Sequence, residues 1–295
     1  MADAYAKILL FGEHIVLQGA QALAMPWPAF QGTWAWQAHT DQQQSLPAFC
    51  QYLQELQEQG QLLTPLDLDQ FRKDLTSGIY FNSNIPTGYG AGSSGALCAA
   101  LYKRYQTSAA PNELTILQRQ LAQLESFFHG SSSGTDPLIC YLNQAIHIVP
   151  GQGIEVFDWK WPDDPDVHFF VIDTGIKRQT GPWVEAFKAK AEDPLFKAQM
   201  EELLIPASNQ AIQALLQQQN ESLFRAFSKI SAIHYLNLKN FIPATFHQLW
   251  QAGLSNDQYM LKLCGAGGGG FILGLSRSLQ TVQQLAKSYD ILMLG

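Results

Sequence analysis

The chain has 295 residues, 46% of them apolar, and carries 18 basic against 25 acidic side chains for a net charge of −7. That length suits one large domain or two ordinary ones with a full core. The acidic balance excludes nucleic acid as the main partner, because neutralising a phosphate backbone needs a basic surface.

Cys50, Cys98, Cys140 and Cys264 are scattered and form no CxxC pair. They read as small buried hydrophobes of a reducing compartment, not as a disulfide frame or a zinc site. No charged-then-apolar leader opens the sequence and no apolar run reaches membrane-spanning length, so a soluble cytoplasmic protein without a membrane partner is expected.

In chain order, "AKILLFG" (6–12) predicts a largely buried strand. "SLPAFCQYLQELQEQGQLL" (45–63) spaces Phe49, Tyr52, Leu53 and Leu56 as a helix does. "SGIYFNSNIP" (77–86) is extended and stops at proline, and a helix follows the glycines to about Tyr105. "PNELTILQRQLAQLESFFHG" (111–130) predicts a helix with Asn112 as its cap and Gly130 beyond its end. "SSSGTDPLICYLNQ" (131–144) is a loop entering another helix, and "QAIHIVPGQGIEVFD" (144–158) a hairpin. "DVHFFVIDTG" (166–175) predicts a strand. Pro182 to Trp250 is mostly helical with a break near Pro206. "YMLKLCGAGGGGFILGL" (259–275) reads as strand, glycine turn, strand, and a helix and the strand "DILML" end the pattern. Helices and strands mix without regular alternation, so α+β is expected over doubly wound α/β. The Pro- and Asp-rich "FDWKWPDDPDVH" (157–168) is a candidate join between two lobes.

The chemistry concentrates first in "NIPTGYGAGSSGALCAA" (84–100). Glycine lets backbone approach a ligand closely, and a helix start offers unpaired N–H groups at the positive end of its dipole. Gly88, Gly90 and Gly92 followed by Ser93 and Ser94 therefore suit an anion, most often phosphate, with the hydroxyls available to phosphate or Mg²⁺. The bland alternative is a turn with a serine N-cap. No lysine follows the glycines as in a Walker A loop, the GxGxxG dinucleotide fingerprint is missing, and protein-kinase signatures are absent.

Single charges add to this. Lys7 interrupts an apolar strand, where it needs a partner or an exit to water, and snorkelling is the ordinary outcome. Glu13 and His14 stand together in a Gly-flanked loop, able to bind a polar substrate or simply be solvated. Asp136 before Pro137 reads as a helix N-cap with proline at N1. Glu125 falls late in its helix, where its charge opposes the dipole and calls for solvation or a cation.

Four blocks in order resemble the GHMP kinase superfamily and, within it, the mevalonate kinases: "KILLFGEHIVLQGAQALAMP" (7–26), "NIPTGYGAGSSGA" (84–96), "ESFFHGSSSGTDP" (125–137) and "KLCGAGGGGFILGL" (262–275). The resemblance implies a two-lobed fold with ATP in the cleft: an N-terminal lobe like ribosomal protein S5 domain 2 over residues 1–160, and a ferredoxin-like α/β lobe over 161–295, whose last strand is free to return to the first lobe. It implies that Asp136 is catalytic with Lys7 as its partner, that Ser94 and Glu125 hold Mg²⁺, and that Pro86, Gly88, Gly90, Gly92, Ser93, Ser94 and Gly95 form the triphosphate loop. Glu13 and His14 match residues lining the mevalonate site, Arg178 and Thr180 in "DTGIKRQT" a substrate-contacting stretch, and Gly265 and Ala266 backbone near phosphates and acceptor. The implied activity is phosphorylation of mevalonate to 5-phosphomevalonate for isoprenoid synthesis, with ATP and Mg²⁺ as cofactors and with room for a homodimer. Another small-molecule kinase of the superfamily, acting on a sugar or homoserine, and a catalytically silent sensor are the alternatives. The sequence departs from the family pattern at Tyr5 and Ala6, where Pro-Gly is frequent, at Ala91 for leucine, at Gly95 for alanine and at Cys264 for threonine.

Overall fold

In the computed structural model, which describes residues 3–37, 45–162 and 164–294, the first apolar run forms β1 (Ala4–Phe11). The chain divides into two units. The first comprises Met1–Ile8, Met25–Pro86 and Ala91–Gln144; the second comprises Leu9–Ala24, Thr87–Gly90 and Ala145–Gly295. The class is α+β, with one sheet ordered β1-β2-β4-β5, β3 pairing on β2, and another ordered β7-β8-β6-β9.

β2 (Ala22–Trp36) is a long strand that the sequence pattern hides, because Pro26 and Pro28 sit inside it. Proline removes a ladder donor and argues against a strand interior. Ala22–Ala24 pairs with β4 (Ala145–Val149) and Gly32–Trp36 with β3 (Ile79–Ser83), so on the edge opposite β1 both prolines fall between the two ladders.

In the first unit, Gly32 accepts the Phe81 ring against its α-carbon, where any side chain would collide. That unit carries α1 (Leu46–Glu58), α2 (Leu68–Thr76), α3 (Ser93–Tyr105), α4 (Leu114–His129) and α5 (Thr135–Leu142). α2 was not anticipated from its apolar pattern; Asp67 starts it by accepting from the Gln70 N–H. Glu113, not Asn112, occupies the N-cap of α4 and makes no capping bond, while Gly130 ends the helix at φ 73° as expected. α3 packs against α4 and α5, around a core that includes the buried Leu101, Tyr102, Leu121 and Leu124.

In the second unit, β4 and β5 (Gly153–Phe157) form the expected antiparallel hairpin. β6 (His168–Asp173) lies between β8 (Phe271–Ser276) and β9 (Asp290–Leu294), and β7 (Tyr259–Leu263) pairs with β8. Helices α6 (Thr180–Lys190), α7 (Pro194–Gln199), α8 (Ile205–Leu216), α9 (Asn220–Asn237), α10 (His247–Asn256) and α11 (Leu279–Leu285) complete it. The expected break near Pro206 is a correction: a π turn at Met200–Leu204 runs directly into α8, with Pro206 in the first turn. Proline lacks the N–H that a regular turn would use, and the wider turn absorbs this without ending the helix. All four cysteines are free and buried.

Candidate active site

In the first unit, Gly92 adopts φ 76° and precedes α3, so the helix starts without a serine cap. Ser93 and Ser94 occupy the first turn, where backbone N–H groups have no partner within the helix. The chain reaches this point through Gly88 at φ 82° and Gly90 at φ 74°, conformations that side chains rarely adopt. Pro86 stands between β3 and this loop.

Lys7 does not snorkel. It is only 8% exposed, and its Nζ lies 2.9 Å from Oδ1 of Asp136. The strand is held against the loop by a bond from the Lys7 N–H to the Ala91 carbonyl. A β-carbon on Gly92 would stand 2.8 Å from Cγ of Lys7, so a glycine is needed for the lysine to pass. Asp136 is not the N-cap of α5: Gly134 holds that position at φ 72°, and Asp136 lies in the first turn with its carboxylate turned to Lys7. Gly95 allows the close approach of α3 to α5, since a β-carbon there would meet the Asp136 carbonyl carbon at 2.9 Å.

Glu125 is buried, contrary to full solvation. Ser94 Oγ donates to its Oε1 at 2.9 Å, Ser132 Oγ donates to Oε2, and His129 Nε2 lies 2.9 Å from Ser94 Oγ. With the serine proton committed to Glu125, the His129 N–H is the donor to the serine oxygen. Burial pushes the Glu125 carboxyl up and the Asp136 charge adds to this, while the two serines and His129 pull it back. The oxygens of Ser94 and Glu125 are hard donors of the kind Mg²⁺ takes. Among the described residues no group of three or more His, Cys, Asp or Glu could hold a metal alone. The oxygens of Ser94 and Glu125, joined at 2.9 Å, fit Mg²⁺ by their chemistry.

The second unit has its own polar cluster. Gly12, at φ 103°, lies so close to Ala22 that a β-carbon would be 2.5 Å from the alanine's. Behind it Glu13 is buried, with Oε1 2.5 Å from Nζ of Lys262 and 3.8 Å from Nε2 of His234. Burial pushes the Glu13 carboxyl up and Lys262 opposes this. His14 is a non-glycine residue at φ 64°, a strained conformation of the kind found at ligand sites. Its ring stacks on Phe187 at 4.4 Å and meets Phe241 edge-on at 5.6 Å. Burial lowers the imidazole to about 4, against a hydrogen bond with the backbone of Ala266, so the ring is neutral at pH 7.

Arg178 is buried, bonds Thr180 Oγ1 from Nη1 at 2.9 Å, and donates its backbone N–H to the Gly88 carbonyl. Its Nη2 comes within 2.7 Å of a β-carbon built on Gly90 and 3.0 Å of one on Gly265. Gly265 is at φ 90°, and Ala266 beside it is buried.

The structure therefore joins Lys7 to Asp136, Ser94 to Glu125, and Arg178 to Thr180, Gly90 and Gly265. Lys262, His234, His129 and Ser132 were not singled out by sequence. Lys262 carried the same signal as Lys7, a cation inside an apolar strand. His129 stands four residues after Glu125, which places both on one helix face. Nothing in the local sequence marked His234.

Residues 52–144 match the GHMP kinases N terminal domain. A mevalonate kinase of Dictyostelium discoideum is 21% identical over 236 residues, covering 70% of this chain and 60% of its own length, so the match spans less than two thirds of that relative. The structure of the L. major mevalonate kinase in complex with R-mevalonate superposes with a TM-score of 0.66 at 20% identity, covering 99% of this chain and 94% of that one. The Streptococcus pneumoniae phosphomevalonate kinase, in complex with phosphomevalonate and AMPPNP, gives 0.65 at 16% identity, with 96% and 94% covered. The sequence match to the GHMP kinases N terminal domain thus covers residues 52–144, and the chain as a whole shares the fold of the L. major mevalonate kinase.

Proposed function

We propose that the chain transfers the γ-phosphoryl group of Mg²⁺-ATP to the primary hydroxyl of mevalonate, giving 5-phosphomevalonate. The observation that carries this is the Lys7–Asp136 pair, buried on the lysine side and set beside the glycine-headed start of α3. The relatives' names and the motif order support mevalonate as acceptor; phosphomevalonate and a sugar are the competing acceptors within the superfamily.

Phosphoryl transfer depends mainly on positioning and charge stabilisation. The first-turn N–H groups of α3 and the backbone of Gly88, Gly90 and Gly92 bind phosphate oxygens. Ser94 and Glu125 would hold Mg²⁺, which when bound neutralises charge on the β- and γ-phosphates. Asp136 accepts and orients the proton of the acceptor hydroxyl. The Lys7 ammonium fixes that carboxylate and stabilises negative charge developing near it. Gly95 seats Asp136 by letting α5 approach α3. In the second unit, Glu13, His14, Arg178, Thr180, Gly265 and Ala266 are assigned to the acceptor.

An ADP-release assay with Mg²⁺-ATP and a panel of mevalonate, phosphomevalonate, galactose and homoserine tests this. Turnover of mevalonate above the others is expected. Preference for phosphomevalonate or galactose would reassign the acceptor, and ATP binding with no turnover of any of them would leave a silent sensor.

A further inference from the structure

The hydrogen bonds around Glu125 in the first unit run in one direction, and two of their members have no part in the activity proposed above. His129 Nε2–H donates to Ser94 Oγ at 2.9 Å, and the Ser94 hydroxyl donates to Glu125 Oε1 at 2.9 Å. From the other side, the Gly134 N–H donates to Ser132 Oγ at 2.9 Å, and the Ser132 hydroxyl donates to Glu125 Oε2. Each serine thus receives one N–H and passes its own proton on, and the carboxylate is the end of both runs.

This fixes which lone pairs stay open. A hydroxyl oxygen has two, and so has each carboxylate oxygen. His129 takes one of the two on Ser94 Oγ and leaves one. Each serine takes one on its own Glu125 oxygen and leaves one. The terminal torsion of a glutamate side chain is broad when nothing holds it. Two donors gripping opposite oxygens set the plane of the Glu125 carboxylate, which is buried at 5% exposed. Partners of this kind govern metal affinity, because they orient the atoms that bind.

The loop that brings Ser132 is held independently of its hydroxyl. Gln118 Nε2, on α4, donates to the Ser133 carbonyl at 2.9 Å and lies 3.3 Å from Thr135 Oγ1. Gly134 passes so close to α4 that a β-carbon there would strike the Gln118 carbonyl oxygen. Ser132→Ala therefore removes a donor without releasing the backbone. His129 is exposed at the last position of α4, so its replacement opens no cavity.

We propose that Ser132 and His129 are positioning residues for a divalent cation: Ser132 holds the carboxylate plane of Glu125, and His129 directs the open lone pair of Ser94. Both roles rest on the metal part of the proposed activity, not on which acceptor is used. Their effect reaches the ion through Glu125 and Ser94.

Mn²⁺ serves as the probe. It is titrated into the protein with one equivalent of ADP, and the paramagnetic resonance signal of free Mn²⁺ gives the affinity. The wild type is compared with Ser132→Ala, Ser132→Thr, His129→Leu and His129→Gln. ADP affinity without metal and the urea midpoint are measured on the same proteins. Mn²⁺ affinity is expected to fall about 10- to 100-fold in Ser132→Ala. In His129→Leu the fall should be about 10-fold, since water can stand in for an exposed donor. Ser132→Thr and His129→Gln put back a hydroxyl and an N–H, and should recover most of the loss. Metal-free ADP affinity should stay at the wild-type value in all four. Unchanged Mn²⁺ affinity in either Ser132→Ala or His129→Leu would overturn the proposal. So would a loss that the conservative variants fail to recover, or one matched by an equal loss of metal-free ADP binding, since both mark a purely structural role. If Ser132→Ala does not fold, the two His129 variants carry the same comparison. A wild type that binds no Mn²⁺ beside ADP fails at the metal site and takes the proposal with it. A preference for an acceptor other than mevalonate changes the substrate alone and leaves these affinities as stated.

Discussion

Asp136 and Lys7 read differently alone than they do as a pair. An aspartate before proline is ordinary helix-start chemistry, yet Gly134 takes the cap and the carboxylate turns to the lysine. Replacing Asp136 by alanine should lower kcat by about 10³-fold or more, as removal of a group acting in the transition state does. ATP affinity, measured by titration, should stay near the wild-type value; retention of full turnover would return Asp136 to a packing role. Ser94 tests the other pair. Its hydroxyl donates to Glu125 and lies against His129. Ser94→Ala should weaken the Mg²⁺-dependent part of nucleotide binding by about 10- to 100-fold, the usual effect of losing a ligand or its partner. ATP binding without metal should change little, and titrations with and without Mg²⁺ measure the difference.

At the scale of elements, what was legible followed hydrophobic period and punctuation. β1, α1, α3, α4, the β4–β5 hairpin and the glycine turn between β7 and β8 lie close to where these signals put them. β2 was hidden because its prolines suggest a break, whereas on the edge opposite β1 they sit in the gap between its β3 and β4 ladders, a fact of pairing and not of local sequence. The site followed the same division. Lys7 and Glu125 were visible because each was locally uncomfortable. Lys262 shared that discomfort but its partner Glu13 is some 250 positions away in sequence, and His234 meets both only through the packing of α9 on β7. The α3–α5 contact yields a prediction of its own. A methyl on Gly95 would press on the backbone of Asp136 and Pro137 at 2.9 Å. Gly95→Ala should cost about 1–3 kcal/mol of stability, as overpacking does. It should lower kcat more than the KM for either substrate, because the shift falls on Asp136. Urea unfolding and steady-state kinetics together check this; unchanged stability would mean that α5 yields freely.

For the whole molecule, no helix among the described residues is long and apolar enough to cross a membrane, and its response to acid is set by buried histidines. His234 is fully enclosed and its imidazole is held well below its ordinary 6.5. The unfolded chain takes up that proton below about pH 6.5 and the folded chain does not, so the contribution is complete above that pH and is lost as pH falls. The slope is at most about 1.4 kcal/mol per pH unit for one site. His14, lowered to about 4, acts in the same direction between those values. Glu13, pushed up by burial, acts oppositely, favouring the folded state at low pH. The urea midpoint should therefore fall from pH 7.5 to 5, and less steeply in His234→Gln; parallel slopes would remove His234 from the account. The path of the chain has a different consequence. It passes from one unit to the other at residues 8/9, 24/25, 86/87, 90/91 and 144/145. A one-point crossover between two related genes could therefore never take one unit whole from one parent and the other unit whole from the second.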